Sequence, residues 1–447
     1  MSKKYIRVAL DAMGGDLAPA EPVKAAVEAL EKRKILHMTL VGKEEVIRAE
    51  LEKYQYPEDR LEILDAREVI EMAESPVNAI RKKKDSSIVK GLRLVKEGTC
   101  DAFVTAGSTG ATLAGGQLLV GRIRGIERPP LAPLLPTAKG PVLLVDCGAN
   151  VDARASQLVQ FAQMGSIYMK NMTGIENPRV ALVNIGAEEE KGNALVKEVF
   201  PLLKACEGIN FIGNIEAREI PEGAADVVVC DAFVGNVILK LYEGLATMLL
   251  KKIKAALMST IPSKIGALLI KPALKGLLKE FNITSYGGAP MLGLRGLVVK
   301  THGNSEAVEI RNAIEQCIQK EKGYQRTVRS PDGTWRSERK SPERSGSGKY
   351  SSGRKRQFLI HQHKGRESMD MEFEKLVSII VDVLGVDAEE ITPDTTFVDD
   401  LGADSLDVAQ IIMGIEEEFD VTVDQDVASN VTTVGQALEL IKNAIDA

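Results

Sequence analysis

Cysteine is scarce in this chain, with five residues, Cys100, Cys147, Cys206, Cys230 and Cys317, among 447. Their number is odd and they stand far apart, without paired or metal-type spacing. This excludes a disulfide framework and a thiolate metal site and fits a reducing cytosol; no metal is expected. Histidine is scarcer still, with four residues. No Gly-x-Ser-x-Gly elbow and no Ser-His-Asp set stands out, so no acyl-enzyme serine is expected. No Gly-x-Gly-x-x-Gly fingerprint follows the first strand, which argues against a dehydrogenase. Met1-Ser2-Lys3-Lys4 leads at once into a strand, so no secretory signal is expected, and no apolar run reaches the ~20 residues of a membrane span. A cytoplasmic, soluble protein is expected, touching a membrane only peripherally.

What is present is sharply divided. Hydrophobic residues make up 44% of the chain, enough for two or three domains with cores. The net charge of -6 resolves into +3 over residues 1–319, +8 over 320–370 and -17 over 371–447. Residues 324–370 carry Ser345-Gly346-Ser347-Gly348, Ser351-Ser352-Gly353 and Arg354-Lys355-Arg356. Such composition buries too little apolar surface to fold and reads as a basic disordered linker. Without a folded recognition module, nucleic acid is not an expected partner. Met369 and Met371 stand where a separate protein would begin, so translated intergenic sequence is another reading of the join. The expected domains are 1–323, 324–370 and 371–447.

In the first domain, short valine- and isoleucine-rich runs alternate with amphipathic segments. The runs are Ile6–Asp11, Met38–Val41, Leu61–Leu64, Ala102–Thr105, Val142–Asp146, Val180–Ile185, Asn210–Ile212, Val227–Cys230 and Leu297–Lys300. This alternation predicts an α/β fold, a mostly parallel sheet with helices on both faces, and ligands bind beyond the carboxyl ends of such strands. Glycine-containing loops stand there: Asp11 to Asp16, Ala106 to Gly110, Asp146 to Asn150 and Asn184 to Glu188. Glycine lets backbone approach a ligand closely and aim N–H groups at an anion.

The last domain reads Phe397-Val398-Asp399-Asp400-Leu401-Gly402-Ala403-Asp404-Ser405-Leu406-Asp407, which resembles the attachment site of an acyl carrier protein. A helix is predicted from Ser405, with Val408, Ile411, Ile412, Ile415 and Phe419 on one face. Helices are also predicted over Phe373–Leu384 and Val434–Ala444, with a short turn near Asp426–Ala428, giving an all-α four-helix pattern. The resemblance implies 4′-phosphopantetheine on Ser405, attached by a carrier protein synthase that reads Asp404, Leu406, Glu416 and Glu417. The alternative is that Ser405 is only a helix N-cap.

Over about residues 4–322 the chain resembles the phosphate acyltransferase family of bacterial phospholipid synthesis. Ala9 to Asp16, Arg81 to Ser87, Thr105 to Ala111, Gly213-Asn214-Ile215-Glu216 and Tyr286 to Leu292 carry the likeness. Ala217, Glu219 and Ala232 depart from the expected glycine, aspartate and glycine. The resemblance implies a three-layer fold of the isopropylmalate-dehydrogenase/phosphotransacetylase type. It implies transfer of an acyl group from acyl carrier protein, in cis or in trans, to inorganic phosphate. The product would pass to an acyl-phosphate-using glycerol-3-phosphate acyltransferase. A homodimer is also implied.

Phosphate is already nucleophilic near neutrality, so a site needs mainly to hold a dianion beside the thioester and stabilise the oxyanion. Gly107, Ser108, Thr109 and Gly110, between a strand and a helix, are the candidate cradle; Ser108 and Thr109 also suit plain helix caps. Lys191 is a candidate to neutralise phosphate, or a solvated lysine. His302 is a candidate to protonate the leaving group, or a structural hydrogen bonder. Asn150 and Asn184 join Asp11, Asp16, Asp231 and Asn236 as rim candidates by loop position. Residues 244–281 mix leucine and isoleucine with seven lysines, Lys264, Lys271 and Lys275 among them, broken by Pro262 and Pro272. They read as a basic helical hairpin for an anionic membrane surface, for an acidic carrier or for core packing. Rival readings of the whole are a phosphotransacetylase acting on coenzyme A thioesters and a non-catalytic carrier or scaffold.

Overall fold

The computed structural model describes residues 5–280, 287–327, 364–419, 421, 423 and 431–445. The chain divides into two compact units, Met1–Trp335 and Arg336–Ala447. The strands of the first are β1 (Ile6–Asp11), β2 (Leu36–Gly42), β3 (Leu61–Asp65), β4 (Ala102–Thr105), β5 (Leu134–Thr137), β6 (Gly140–Val145), β7 (Arg179–Asn184), β8 (Asn210–Glu216), β9 (Val227–Val229), β10 (Ala289–Pro290) and β11 (Leu297–Lys300). They form two sheets, ordered β10-β11-β4-β1-β2-β3 and β5-β6-β9-β7-β8. Each is parallel except for one edge strand, β10 and β5, which pair antiparallel. Every residue of β4, β9 and β11 is buried, which is why these strands read as unbroken apolar runs.

Helices α1 (Ala20–Lys32), α2 (Glu44–Leu51), α3 (Pro76–Lys82), α4 (Ser87–Lys96), α5 (Thr109–Gly115), α6 (Ala155–Thr173), α7 (Ala194–Ala205), α8 (Ala232–Leu257), α9 (Ile261–Glu280) and α10 (Ala307–Thr327) complete the unit. Val23, Leu30, Ile310 and Ile314 of α1 and α10 cover one face of the first sheet against Val8, Leu10, Val104 and Val299. α4 covers the other so closely that a Cβ at Gly91 would stand 2.1 Å from Phe103. The second sheet packs Leu158 and Phe161 of α6 and Leu203 of α7 against Leu143, Val180 and Val227. Val228 and Cys230 meet α8 on its opposite face. Each sheet is thus the middle of three layers.

Several expectations are corrected. The runs expected in one sheet fall into two. β5 and β10 have no counterpart among the predicted runs, because both are short and carry proline, Pro136 and Pro290. The hairpin begins at Ala232, and α9 runs through Pro272, which ends nothing. By length and composition α8 is long and apolar enough to cross a membrane, and little of it is buried. The absence of a spanning-length stretch does not hold, because Lys240 and Glu243 interrupt what reads as an apolar run. The residues described at both ends of the expected linker are helical, since α10 reaches Thr327 and the next helix starts at Lys364; residues 328–363 lie outside the described set.

The second unit contains α11 (Lys364–Leu384), α12 (Ser405–Phe419) and α13 (Val434–Ile445). Leu376, Ile380, Phe397, Ile411, Ile415, Val434 and Ile441 form its core. The apolar face foreseen after Ser405 supplies two of these. The turn expected near Asp426–Ala428 lies outside the described residues, as does Tyr286.

Candidate active site

The carboxyl ends of β1, β4 and β11 lie side by side, and their loops pack with almost no space between them. A Cβ at Gly14 would stand 2.3 Å from Asp11 Oδ2 and 2.6 Å from the Gly107 nitrogen; one at Gly15 would stand 2.7 Å from the Gly303 oxygen. Asp11 is 1% exposed. Its Oδ2 accepts from the Thr105 hydroxyl at 2.7 Å and its Oδ1 from the Met13 N–H at 3.0 Å, with Ser87 and the Gly14 N–H as further donors. Burial raises the Asp11 carboxyl above its ordinary value, against the pull of these donors.

The expected cradle follows directly. The Gly107 N–H donates to Thr105 Oγ1 at 2.9 Å. Ser108 is the N-cap of α5, its Oγ accepting from the Ala111 N–H at 3.3 Å, so that hydroxyl serves the helix. The N–H groups of Ser108, Thr109 and Gly110 have no partner among the described residues, as helix geometry dictates for a first turn. They form a compact set of donors between half-buried Thr109 and Gly110 and the three glycine loops.

Lys300, absent from the expected site, is 6% exposed at the end of β11 and lies opposite Thr105 in the strand register. Its Nζ donates to the Ala106 oxygen at 3.3 Å and to the Thr301 oxygen. Burial pushes its ammonium down to about 8, with Asp11 and Asp16 opposing and Lys240 assisting. The signal in sequence was faint: one lysine closing Leu297-Val298-Val299, a run apolar on both faces.

The second sheet contributes its own loops. Asp146, fully buried after β6, accepts from the N–H of Leu131 (2.9 Å), Ala149 (3.3 Å) and Asn150 (2.8 Å) and from Asn150 Nδ2 (2.7 Å). Burial pushes it up to about 6 despite these donors. Asn150 also donates to the Pro129 oxygen at 3.2 Å, so its amide braces the loop. Asn184 Nδ2 donates to the Lys191 oxygen at 3.0 Å and Asn214 Nδ2 to the Glu188 oxygen at 3.1 Å. Two amides on neighbouring strands thereby hold the loop that carries Lys191. Lys191 itself is exposed and paired with Glu188 at 2.9 Å.

α8 joins the two sheets. Its N-cap Asp231 accepts from the Val234 N–H at 2.9 Å, and the Ala232 N–H donates to the Asn150 oxygen at 3.1 Å. Ala232 is fully buried there, so this departure from the family pattern is accommodated. Nine residues on, Lys240 Nζ meets His302 Nε2 at 3.1 Å and Glu243 at 2.9 Å. The other ring nitrogen, Nδ1, faces the Asn304 N–H at 3.5 Å. Between α8 and His302 runs an open groove of about 740 Å³, lined by Lys240, Glu243, Thr247, Met248, Lys251 and Lys252. Gly107 to Gly110 and His302 thus belong to the first sheet and Asn150, Asn184 and Lys191 to the second, with Lys240 reaching across.

In the second unit Ser405 is exposed at the first residue of α12. Asp404, not Ser405, caps that helix: its Oδ1 accepts from the N–H groups of Leu406 at 2.8 Å and Asp407 at 3.1 Å. The reading of Ser405 as a mere cap falls, and its hydroxyl stands at the positive end of the helix dipole, where a phosphodiester fits. Leu406 is half-buried, and Glu416 Oε1 accepts from the Val423 N–H at 3.1 Å. Glu417 lies on α12, its side chain outside the described set.

Comparison with known proteins adds the following. The profile of a family described as fatty acid synthesis protein matches residues 6–323, and that of the phosphopantetheine attachment site matches residues 374–441. A phosphate acyltransferase of Clostridium tetani is 51% identical over 318 residues, covering 71% of this chain and 95% of that protein. One from Clostridium beijerinckii is 52% identical over 312 residues, covering 70% and 94%. Among solved structures, the EutD phosphotransacetylase from Staphylococcus aureus aligns with a TM-score of 0.47 at 18% identity, over 72% of this chain and 95% of that one. A phosphotransacetylase from Streptococcus pyogenes aligns with a TM-score of 0.48 at 19% identity, over the same shares.

Proposed function

This chain belongs to the fatty acid synthesis protein family and is an acyltransferase joined to a phosphopantetheine carrier domain; from this premise we propose that it moves a fatty acyl group from a carrier thioester to inorganic phosphate. The observation that carries the reading is the presence of both halves of that reaction in one chain, the family match over residues 6–323 and the carrier match over residues 374–441. Ser405, exposed and free of capping duty, is the attachment residue. The phosphopantetheine arm supplies a long, flexible thiol that holds the acyl group as a thioester.

The rest follows from the body's residues. The N–H groups of Ser108, Thr109 and Gly110 hold the phosphate dianion, aided by the helix dipole of α5. One phosphate oxygen attacks the thioester carbonyl: the C–O bond forms, the carbonyl oxygen takes the negative charge, and collapse breaks the C–S bond. Acyl phosphate and the carrier thiol are the products, the proton lost by phosphate being taken up by the departing sulfur. Lys240, held by His302 and Glu243, supplies positive charge at the groove. His302 meets Lys240 through Nε2 and so orients that side chain. Thiolate is a good leaving group, so little acid catalysis is required.

In this reading the acyl phosphate serves phospholipid synthesis through a glycerol-3-phosphate acyltransferase, and a carrier protein synthase modifies Ser405. The α8–α9 hairpin rests on an anionic membrane, and the protein works in the cytoplasm as a peripheral homodimer. Leu245, Leu249, Ile261, Ile265, Leu268 and Leu269 are all more than half exposed. Such a patch argues against core packing within one chain and suits a lipid surface or a second copy.

The test is a steady-state assay of the full chain with acyl carrier thioester and, separately, acyl coenzyme A, with and without phosphate. Acyl phosphate should form only with phosphate, and kcat/KM should favour the carrier donor by about ten-fold or more, the factor that ~1.4 kcal/mol of donor discrimination gives. Equal or better use of coenzyme A would establish the phosphotransacetylase reading, and no phosphate dependence would remove both.

A further inference from the structure

We propose that Asp11, Thr105 and Lys300 form a buried clamp that positions the phosphate-binding turn by fixing one peptide unit, Ala106–Gly107, from both of its ends. The inference rests on the reading that Ser108 to Gly110 hold phosphate, and it assigns three residues the task of orienting them. The two polar ends of that peptide are taken by different side chains. Its N–H, from Gly107, donates to Thr105 Oγ1 at 2.9 Å, and its carbonyl, from Ala106, accepts from Lys300 Nζ at 3.3 Å. A hydroxyl has one proton, and Thr105, accepting from Gly107, gives that proton to Asp11 Oδ2 at 2.7 Å. The direction of the chain is therefore set by Asp11.

The clamp is dry, since Asp11, Thr105 and Lys300 are each no more than 6% exposed, so water does not compete for either end. Stability alone does not account for it. Burying an ammonium and a carboxylate costs more than their attraction returns unless geometry is excellent, and a methionine would complete the apolar run of Leu297, Val298 and Val299 without that cost. What the charges do is select one orientation of one peptide. Reversing the Ala106–Gly107 unit would replace a fixed N–H by a carbonyl dipole immediately before the three free donors, beside a dianion. Gly14 presses the turn from the other side, with room for no Cβ against either Asp11 Oδ2 or the Gly107 nitrogen. Lys300 makes its two contacts to carbonyl oxygens, of Ala106 and Thr301, so its charge is not spent on a direct ion pair and adds to the positive field of the turn.

The experiment uses the full holo-chain and compares Lys300→Met, Lys300→Gln, Thr105→Val and the Lys300→Met/Thr105→Val pair. KM for phosphate and KM for the acyl donor are measured separately between pH 7 and 9. Lys300→Met is expected to raise phosphate KM by about ten-fold or more, the worth of one hydrogen bond to a charged group, while donor KM stays within about two-fold. Lys300→Gln, which keeps a donor for Ala106, should recover part of the loss. It should also lack the rise in phosphate KM that wild type shows above pH about 8 as Lys300 loses its proton. The double variant should be scarcely worse than the worse single one, because both substitutions release the same peptide. Unchanged phosphate KM in the folded variants, or multiplied effects in the pair, overturns the clamp. Should Lys300→Met not fold, Lys300→Gln and Thr105→Val decide on the same criterion. A wild type whose turnover ignores phosphate would sink the functional reading instead, a different result from a phosphate-dependent wild type with indifferent variants.

Discussion

Lys300 closes a strand whose three preceding residues, Leu297, Val298 and Val299, are buried, and burial pushes its ammonium from 10.5 down to about 8. The folded chain therefore releases this proton before the unfolded chain does. Between pH about 8 and 10.5 unfolding takes up a proton, so stability rises with pH in that window. Below it the charged lysine costs the fold about 3 kcal/mol, at 1.36 kcal/mol per pKa unit. Urea unfolding of wild type and Lys300→Met across pH 7 to 10.5 should show wild type gaining on the variant by roughly that amount; parallel curves would mean the lysine is not desolvated. The same residue marks the boundary of what sequence reveals. Ser405 is legible because its context is local, an aspartate before it and an apolar helical face after it. Lys300 is not, because its partner Ala106 lies 194 positions away, and Lys240 meets His302 across 62. Both lysines look solvated until the chain is folded.

Elements were easier to see than their arrangement. β1, β4 and β11 begin and end where their apolar runs do, because central parallel strands are buried on both faces and show no alternation. The division of eleven strands between two sheets depends on pairings between distant segments, for which a run such as Val227–Val229 holds no signal of its own. The α8–α9 hairpin shows the opposite balance. Its mixture of lysine and leucine was plain, yet its length was hidden by charged interruptions and by Pro272, which α9 accommodates at the loss of one backbone bond. Lys264 and Lys271 are exposed on α9, and Lys275 lies on the same helix. A basic residue near an anionic surface contributes about 1 kcal/mol. Reversing these three should weaken partition onto anionic vesicles by about 100-fold or more, with circular dichroism unchanged. Equal binding of the wild type to neutral vesicles would show that the apolar face alone drives attachment.

The whole molecule is two folded units of very different charge, +3 over residues 1–319 and -17 over residues 371–447. The groove of the first unit is lined by Lys240, Lys251 and Lys252, and the attraction of such exposed lysines for an acidic partner is screened by salt over about 8 Å at physiological strength. The division was legible in the sequence because charge and composition change abruptly along it. The proposed acyl transfer is legible in the sequence only through Ser405 and the glycine loops. One measurement reaches the central claim directly. The full chain is loaded through Ser405 with phosphopantetheine bearing an acyl thioester, phosphate is added, and intact mass is followed through a single turnover with hydroxylamine present to trap acyl phosphate. The account predicts that the acyl mass leaves only when phosphate is supplied, that an equal amount of hydroxamate appears, and that Ser405→Ala never takes up the arm. Acyl loss at the same rate without phosphate, or a protein that keeps its acyl group in phosphate, would contradict it.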